Sequence, residues 1–309
     1  MENQKQTIYI VGAGAIGKVL AVLLALAHKE VIILRGRVDG QASRREKMRV
    51  ELSDNTTLEA EVEVSTLSNF SNLNGLVILT NKSFGNKSLA QALKDKIQDS
   101  PIVLLQNGLE VEQPFVDSGF PEIYRCVLFA TSQSTAQDTY RFKPVSASLI
   151  GIIKGSAKQL NTIVRQLHTH RFPFQEEENI QPVIWKKAIV NSVFNSICPL
   201  LEVDNGIFHR DEQALTIAKR VIKECVGVAT EKGVAISQEE VVESLLLISK
   251  ASDGQLISTL QDIKNQRPTE IDTLNFAIVD MAKKLNQEDR VVETKLLGEL
   301  TKLKSEIKG

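Results

Sequence analysis

Three polar side chains stand four residues apart in the stretch IWKKAIVNSVFNSICPLL: Lys187, Asn191 and Asn195. In a helix, residues i and i+4 share a face, so a helix here carries an ammonium and two amides in one stripe. The rest of its surface is apolar or small: Trp185, Ala188, Ile189, Val190, Val193, Phe194 and Ile197. A helix apolar nearly all round is normally buried, and buried polar groups need partners or water. The stripe therefore either lines a wet active site, or belongs to a structural hydrogen-bonded network or a solvated face. In an active site, desolvation would lower the lysine's pKa and make it a better proton donor. Its charge alone would stabilise a developing alkoxide. The amides would orient a carbonyl or a hydroxyl. Lys186 reads as a solvated neighbour.

A second constellation stands near the start of the chain. Gly12, Gly14 and Gly17 spell G-x-G-x-x-G between an apolar run (TIYIV) and a helical pattern from Ile16 to His28. In this context the first glycine permits a tight turn. The second lets backbone approach a pyrophosphate, and the third lets helix and strand pack closely. Backbone N–H groups of Gly14, Ala15 and Ile16 at the helix start would face the phosphates. The second strand ends in Leu34-Arg35-Gly36-Arg37, where an NAD site usually carries Asp or Glu. A guanidinium there can clamp a 2′-phosphate. This favours NADP(H), with Arg35 as its reader; the other reading makes Arg35 and Arg37 solvated loop charges.

These residues need elements to hold them. TIYIV, EVIIL, GLVILT and PIVLLQ read as strands buried on both faces of a parallel sheet. Helical patterns lie between some of them, as from Lys87 to Gln98, which is βαβ alternation. Arg49 to Val64 alternates around Asp54-Asn55 as a hairpin, and a β-rich stretch runs from Ile123 to Ile153. From Ile180 onward helical patterns take over: Pro182 to Leu201, Glu212 to Lys232 with Gly233 as C-cap, Ser237 to Ser249, and Thr269 onward. The expected fold class is α/β: an N-terminal Rossmann-type dinucleotide-binding domain (1–177) followed by a C-terminal all-helical domain (178–309), with the boundary near Glu177.

Bulk properties narrow the partners. The chain has 309 residues, 42% hydrophobic and 24% charged, ordinary for two soluble domains. A formal net charge of −1 gives no reason to expect nucleic acid or a membrane surface as partner. No apolar run is long enough to span a bilayer, and the polar start MENQKQ does not read as a signal peptide. Cys126, Cys198 and Cys225 are few and set in apolar surroundings, as buried thiols in a reducing, cytoplasmic compartment. His168 and His170 lack a credible ligand set and read as surface or packing residues, so no metal is expected.

Taken in order, these motifs resemble the ketopantoate reductase (2-dehydropantoate 2-reductase) family over nearly the whole chain. The series is the glycine loop with Arg35, then LTNKSF with Lys82, LLQNGLE with Asn107, WKKAIVNSVFN, and STLQDIKNQRPTEID with Ser258 and Glu270. The resemblance implies a Rossmann domain and a helical domain closing over a cleft. It makes Lys187 and Glu270 catalytic, and Asn191, Asn195 and Ser258 substrate-binding. Lys82 and Asn107 join Gly12, Gly14, Ala15, Ile16, Gly17 and Arg35 at the cofactor. The implied reaction is NADPH-dependent reduction of a small 2-oxo acid, ketopantoate, to pantoate in pantothenate biosynthesis. Reduction of another 2-oxo acid, or a non-catalytic NADP(H)-binding sensor, stays open. A homodimer is allowed. Read locally, Thr269-x-x-Asp272 after Pro268 is a capping box, which places Glu270 in the first turn of a helix, where the dipole favours a carboxylate.

Overall fold

The computed structural model describes residues 6–36 and 38–307; the opening residues MENQK and Arg37 lie outside that range. One unit takes in the chain up to Gln106 and Glu112–Ile180. Its strands are β1 (Thr7–Val11), β2 (Val31–Arg35), β3 (Arg44–Leu52), β4 (Thr57–Thr66), β5 (Gly75–Leu79), β6 (Ile102–Leu104), β7 (Ile123–Val127), β8 (Ala130–Ala136), β9 (Thr139–Pro144), β10 (Ser148–Lys154) and β11 (Phe174–Glu176). The helices of this unit are α1 (Ala15–Leu26), α2 (Asn86–Lys94), α3 (Gln113–Asp117) and α4 (Ala157–Leu167).

Among the described residues the strands form one sheet in the order β11-β10-β7-β6-β5-β1-β2-β4-β3-β9-β8. At its centre β1 pairs in parallel with β2 on one side and β5 on the other. Val, Ile and Leu dominate these strands, as expected of a sheet covered on both faces. The chain therefore changes direction across the sheet at β1, and the carboxyl ends flanking it are where such folds bind ligands. The expected hairpin is β3–β4, antiparallel from Arg44↔Val64 to Glu51↔Thr57. Asn55 (φ 64°) supplies the left-handed residue of its turn.

The other unit joins Asn107–Val111 to Gln181 and beyond. It is helical: α5 (Ile180–Leu201), α6 (Ile207–Arg210), α7 (Glu212–Glu231), α8 (Gln238–Ala251), α9 (Ser258–Lys264), α10 (Asn275–Lys284) and α11 (Val292–Glu306). No strand occurs among the described residues after Gln181. Local chemistry sets the ends. Asp211 accepts from Ala214 N–H at 2.8 Å to start α7. Gly233 (φ 77°) closes α7, as expected, with Gly233 N–H on Thr230 O and Val234 N–H on Ala229 O. Ser237 and Glu240 form a reciprocal capping box at α8. The three cysteines are buried thiols; desolvation pushes Cys198 and Cys225 up to about 12, which keeps them unreactive. Among the described residues, no helix is long and apolar enough to cross a membrane.

Candidate active site

In the sheet unit the three glycines have different reasons to be glycine. Gly12 has φ 119°, and a Cβ there would lie 2.6 Å from the Asn81 backbone nitrogen. A Cβ on Gly17 would lie 2.2 Å from Gly12 O, so α1 can only sit this close to the loop without a side chain. A Cβ on Gly14 would meet nothing within 4 Å. No packing inside the protein explains that glycine, and the backbone there stays open to an approaching group. Gly14 is also the N-cap of α1, which has no side-chain cap and no acidic residue in its first turn. The positive helix end and the leading amides, Ala15 and Ile16 included, are thus not neutralised locally. This suits a pyrophosphate, so the loop fits a dinucleotide.

The loop is tied to the next strand. Thr80 at the end of β5 donates its hydroxyl to Gly12 O at 2.9 Å. Beyond it, Lys82 is half-buried and starts a single 3₁₀ turn, Ser83–Gly85. Three amides fix this segment. Asn86 and Gln106 exchange side-chain hydrogen bonds of 2.7 and 2.8 Å, Gln106 donates to Asn81 O, and Asn81 donates to Lys82 O. Nothing in the spacing of Asn86 and Gln106 marks them as partners; only the parallel pairing of β5 with β6 does.

Arg35 stands at the carboxyl end of β2, as expected, but it is not alone. Its guanidinium is bound to the Glu46 carboxylate on β3, which also accepts from Arg44 Nε at 2.7 Å. Arg35, Arg44, Ser65 and Thr66 line a shallow recess beside it. Two guanidiniums and one carboxylate leave a net positive charge there.

In the helical unit, α5 is buried through most of its length, with Gln181 and Leu201 exposed at its ends. Lys187 and Asn191 are half-buried, while Asn195 is 3% exposed. Lys186, the neighbour, is turned toward Glu240 at 3.6 Å. Asn195 is engaged within the protein. Its Nδ2 donates to Asn191 O at 2.9 Å, and its Oδ1 accepts from Ser258 Oγ at 3.1 Å and from Thr259 N–H at 3.2 Å. Because an N–H can only donate, the shared atom must be the amide oxygen, and Ser258 must be the donor to it. Asn195 thereby caps α9, whose own N-cap, Ile257, has no side-chain bond to give. It holds the Ser258 hydroxyl and the first turn of α9, contacts the sequence did not disclose. Ser258 itself is exposed, with its oxygen left as an acceptor.

Glu270 corrects one expectation. It does not lie in the first turn of an α-helix, and there is no capping box. It is the N-cap of a 3₁₀ turn, Ile271–Thr273, without a side-chain cap bond. The α-helix begins later, at Asn275, whose buried amide donates to Thr294 O at 3.2 Å. Glu270 is half-buried. Asn107 belongs to this helical unit. Leu109 N–H donates to Thr273 O at 2.8 Å, and Gly108 (φ 100°) lies so close that a Cβ would come 2.6 Å from Thr273 Cβ. The structure thus ties the Asn107-Gly108 turn to the 3₁₀ turn capped by Glu270. Separately, it gathers Asn191, Asn195 and Ser258 at the junction of α5 and α9.

Comparison with known proteins bears on the chemistry. The profile described as "Ketopantoate reductase PanE/ApbA" matches residues 8–153, and its "C terminal" counterpart matches 179–302. A 2-dehydropantoate 2-reductase of Pyrococcus horikoshii is 29% identical over 310 residues, covering 98% of both chains. A ketopantoate reductase of this group from Ralstonia eutropha superposes with a TM-score of 0.82 at 24% identity, covering 97% of this chain and 98% of that one. A D-mandelate dehydrogenase solved with NADH and anilino(oxo)acetate also reaches 0.82, at 22% identity and the same coverage. At these identities the two structural likenesses establish the fold, a Rossmann-type unit with a helical one.

Proposed function

The chain belongs to the ketopantoate reductase family of NAD(P)-dependent oxidoreductases, and from that premise we propose that it reduces ketopantoate to pantoate with NADPH. The observation that carries the substrate is the direction of the Ser258–Asn195 hydrogen bond. A serine whose proton is already given to Asn195 can only accept from a ligand. Ketopantoate offers a donor, its terminal hydroxyl, which simple 2-oxo acids lack.

The residues divide the work. Gly14, Ala15 and Ile16 offer backbone amides to the pyrophosphate, Gly12 and Gly17 give the loop the turn and close packing that present them, and Arg35 with Arg44 reads the 2′-phosphate. Lys82 and Asn107 complete the cofactor contacts. When bound, the nicotinamide supplies a hydride to the C2 carbonyl. Lys187 gives a proton, or its charge, to the carbonyl oxygen as it becomes an alkoxide. Asn191 orients that carbonyl or the neighbouring carboxylate. Asn195 orients Ser258 to accept from the substrate's terminal hydroxyl, and Glu270 is with Lys187 the second catalytic group. A non-catalytic sensor needs neither Lys187 nor Glu270.

The test is steady-state NADPH oxidation with ketopantoate and with its analogue lacking the terminal hydroxyl. The parent should prefer ketopantoate, and Ser258→Ala should abolish that preference by raising KM for ketopantoate alone. Equal turnover of both acids by the parent would contradict the substrate assignment.

A further inference from the structure

The chain segment that leads into Ser258 is tied down at both ends, and both ties come from α5 and the turn after it. Residues 252–257 connect α8 to α9. At the α9 end, Asn195 takes the Ser258 hydroxyl and Thr259 N–H. At the α8 end the partners come from the turn between α5 and α6. The Asp204 carboxylate accepts Gly254 N–H at 3.3 Å, and Asn205 N–H donates to Gln255 O at 2.9 Å. Leu256 O accepts from Gln261 Nε2 at 2.7 Å, which folds the end of the segment onto α9 itself. Connecting segments are ordinarily the looser parts of a fold; this one is splinted along its length.

The anchor is held in its turn. Arg210 Nη2 donates to both Asp204 oxygens, at 2.9 and 2.8 Å, and Arg210 Nη1 binds Asp253. One guanidinium thus joins a carboxylate of the turn to a carboxylate of the segment. Gly206 makes room for this approach, since a Cβ there would lie 1.9 Å from Asp253 Oδ1. Behind the ion pairs, buried Ser249 of α8 donates to Asn205 O at 2.7 Å. A carbonyl only accepts, so that bond uses the serine's one proton. His209 Nδ1, 3.1 Å away, therefore donates to the Ser249 hydroxyl. Exposed ion pairs alone are weak, but these sit over a buried hydrogen-bonded chain. We propose that Asp204, Arg210 and Ser249 are positioning residues for Ser258, and so set how strongly the site favours a substrate carrying a terminal hydroxyl. Helix α9 is seven residues long, and Asn195 holds its head. A short helix held at its head alone pivots, and a hydroxyl displaced by about an ångström misses its donor. The tie through Asp204 and Asn205 removes that freedom. The inference rests on the reading of Ser258 as acceptor of the substrate hydroxyl.

The test measures KM at saturating NADPH for ketopantoate and for its analogue lacking the terminal hydroxyl. Asp204→Asn should raise KM for ketopantoate about three- to tenfold, the range of one hydrogen bond. It should leave kcat, KM for the analogue and the NADPH dissociation constant as in the parent. Ser249→Ala, which breaks the buried tie instead of the ion pair, should shift KM the same way. Both variants should keep the parent's circular dichroism spectrum. With Ser258 already replaced by alanine there is no hydroxyl left to misplace. Adding Asp204→Asn to Ser258→Ala should therefore change KM for ketopantoate no further. Equal rises in KM for both acids, or additive effects in the double variant, would overturn the proposal. If Ser258→Ala abolishes the preference for ketopantoate while Asp204→Asn keeps it, the positioning role alone fails. If Ser258→Ala itself keeps the preference, the reading of Ser258 fails and the positioning role falls with it.

Discussion

Asn195 on α5 and Ser258 at the start of α9 are joined by a 3.1 Å hydrogen bond in which the serine is the donor. The same asparagine oxygen takes the Thr259 N–H, so one buried amide both caps a helix and sets the polarity of a hydroxyl. Asn195→Ala leaves an orphaned amide at the head of α9, with an expected loss of about 1–3 kcal/mol of stability. Asn195→Asp keeps an acceptor and should retain most of that stability. Urea unfolding of the two variants checks this; equal losses would show that Asn195 contributes only by filling space.

The glycine loop predicts two different failures. Gly17→Ala drives a methyl into Gly12 O and Thr80 Oγ1, so it should destabilise the sheet unit, visible as a lowered melting temperature. Gly14→Ala meets no protein atom within 4 Å and should fold like the parent while losing NADPH affinity. Isothermal titration with NADPH beside thermal melts separates the two. A Gly14→Ala protein that binds NADPH as tightly as the parent would refute the role assigned to that glycine.

Arg35 and Glu46 are bound to each other, and the proposed preference for NADPH is tested at that pair. If Arg35 reads a 2′-phosphate, Arg35→Ala should raise KM for NADPH about ten- to hundredfold, the worth of a charge-assisted hydrogen bond, and leave KM for NADH almost unchanged. Glu46→Gln should lower KM for NADPH by releasing the guanidinium. The opposite pattern, with Glu46→Gln damaging NADH use, would mean that Glu46 reads a ribose hydroxyl and the enzyme prefers NAD.

Much of this was legible in the chain because the signals are local. Strands such as GLVIL, the β3–β4 hairpin and the α5 stripe follow from short-range periodicity, and the glycine loop from spacing. What was not legible depends on contacts between distant segments. Glu46 reaches Arg35 only because β4 separates and registers β2 and β3: Arg35 pairs with Thr66 and Glu46 with Val62, four residues apart on the same face of β4, an offset their long side chains bridge. The seven-residue α9 has no cap of its own and is held by Asn195. At Glu270 the local capping pattern is overridden, because Asn275 anchors the start of α10 on α11.

Acid stability should report the anchor before α9. Asp204 accepts from Arg210, and from the backbone N–H groups of Gly206 and Gly254. The Arg210 guanidinium first, then those amides, hold its carboxyl down at about 2 against an ordinary 3.8. A depressed carboxyl contributes stability that is fully present above 3.8 and lost as pH falls toward 2. Asp204→Asn should therefore be less stable than the parent at neutral pH, and the gap should close across that acid window. A gap independent of pH would mean the carboxylate's charge is not what matters.

The most direct test of the account is the rate of NADPH oxidation with ketopantoate by the parent and by Lys187→Ala, with NADPH binding measured in both. The account predicts turnover by the parent. It predicts a fall in kcat of about a hundred- to ten-thousandfold for Lys187→Ala, with NADPH affinity preserved. A parent that binds NADPH but reduces no 2-oxo acid, or a Lys187→Ala enzyme that turns over normally, would contradict it.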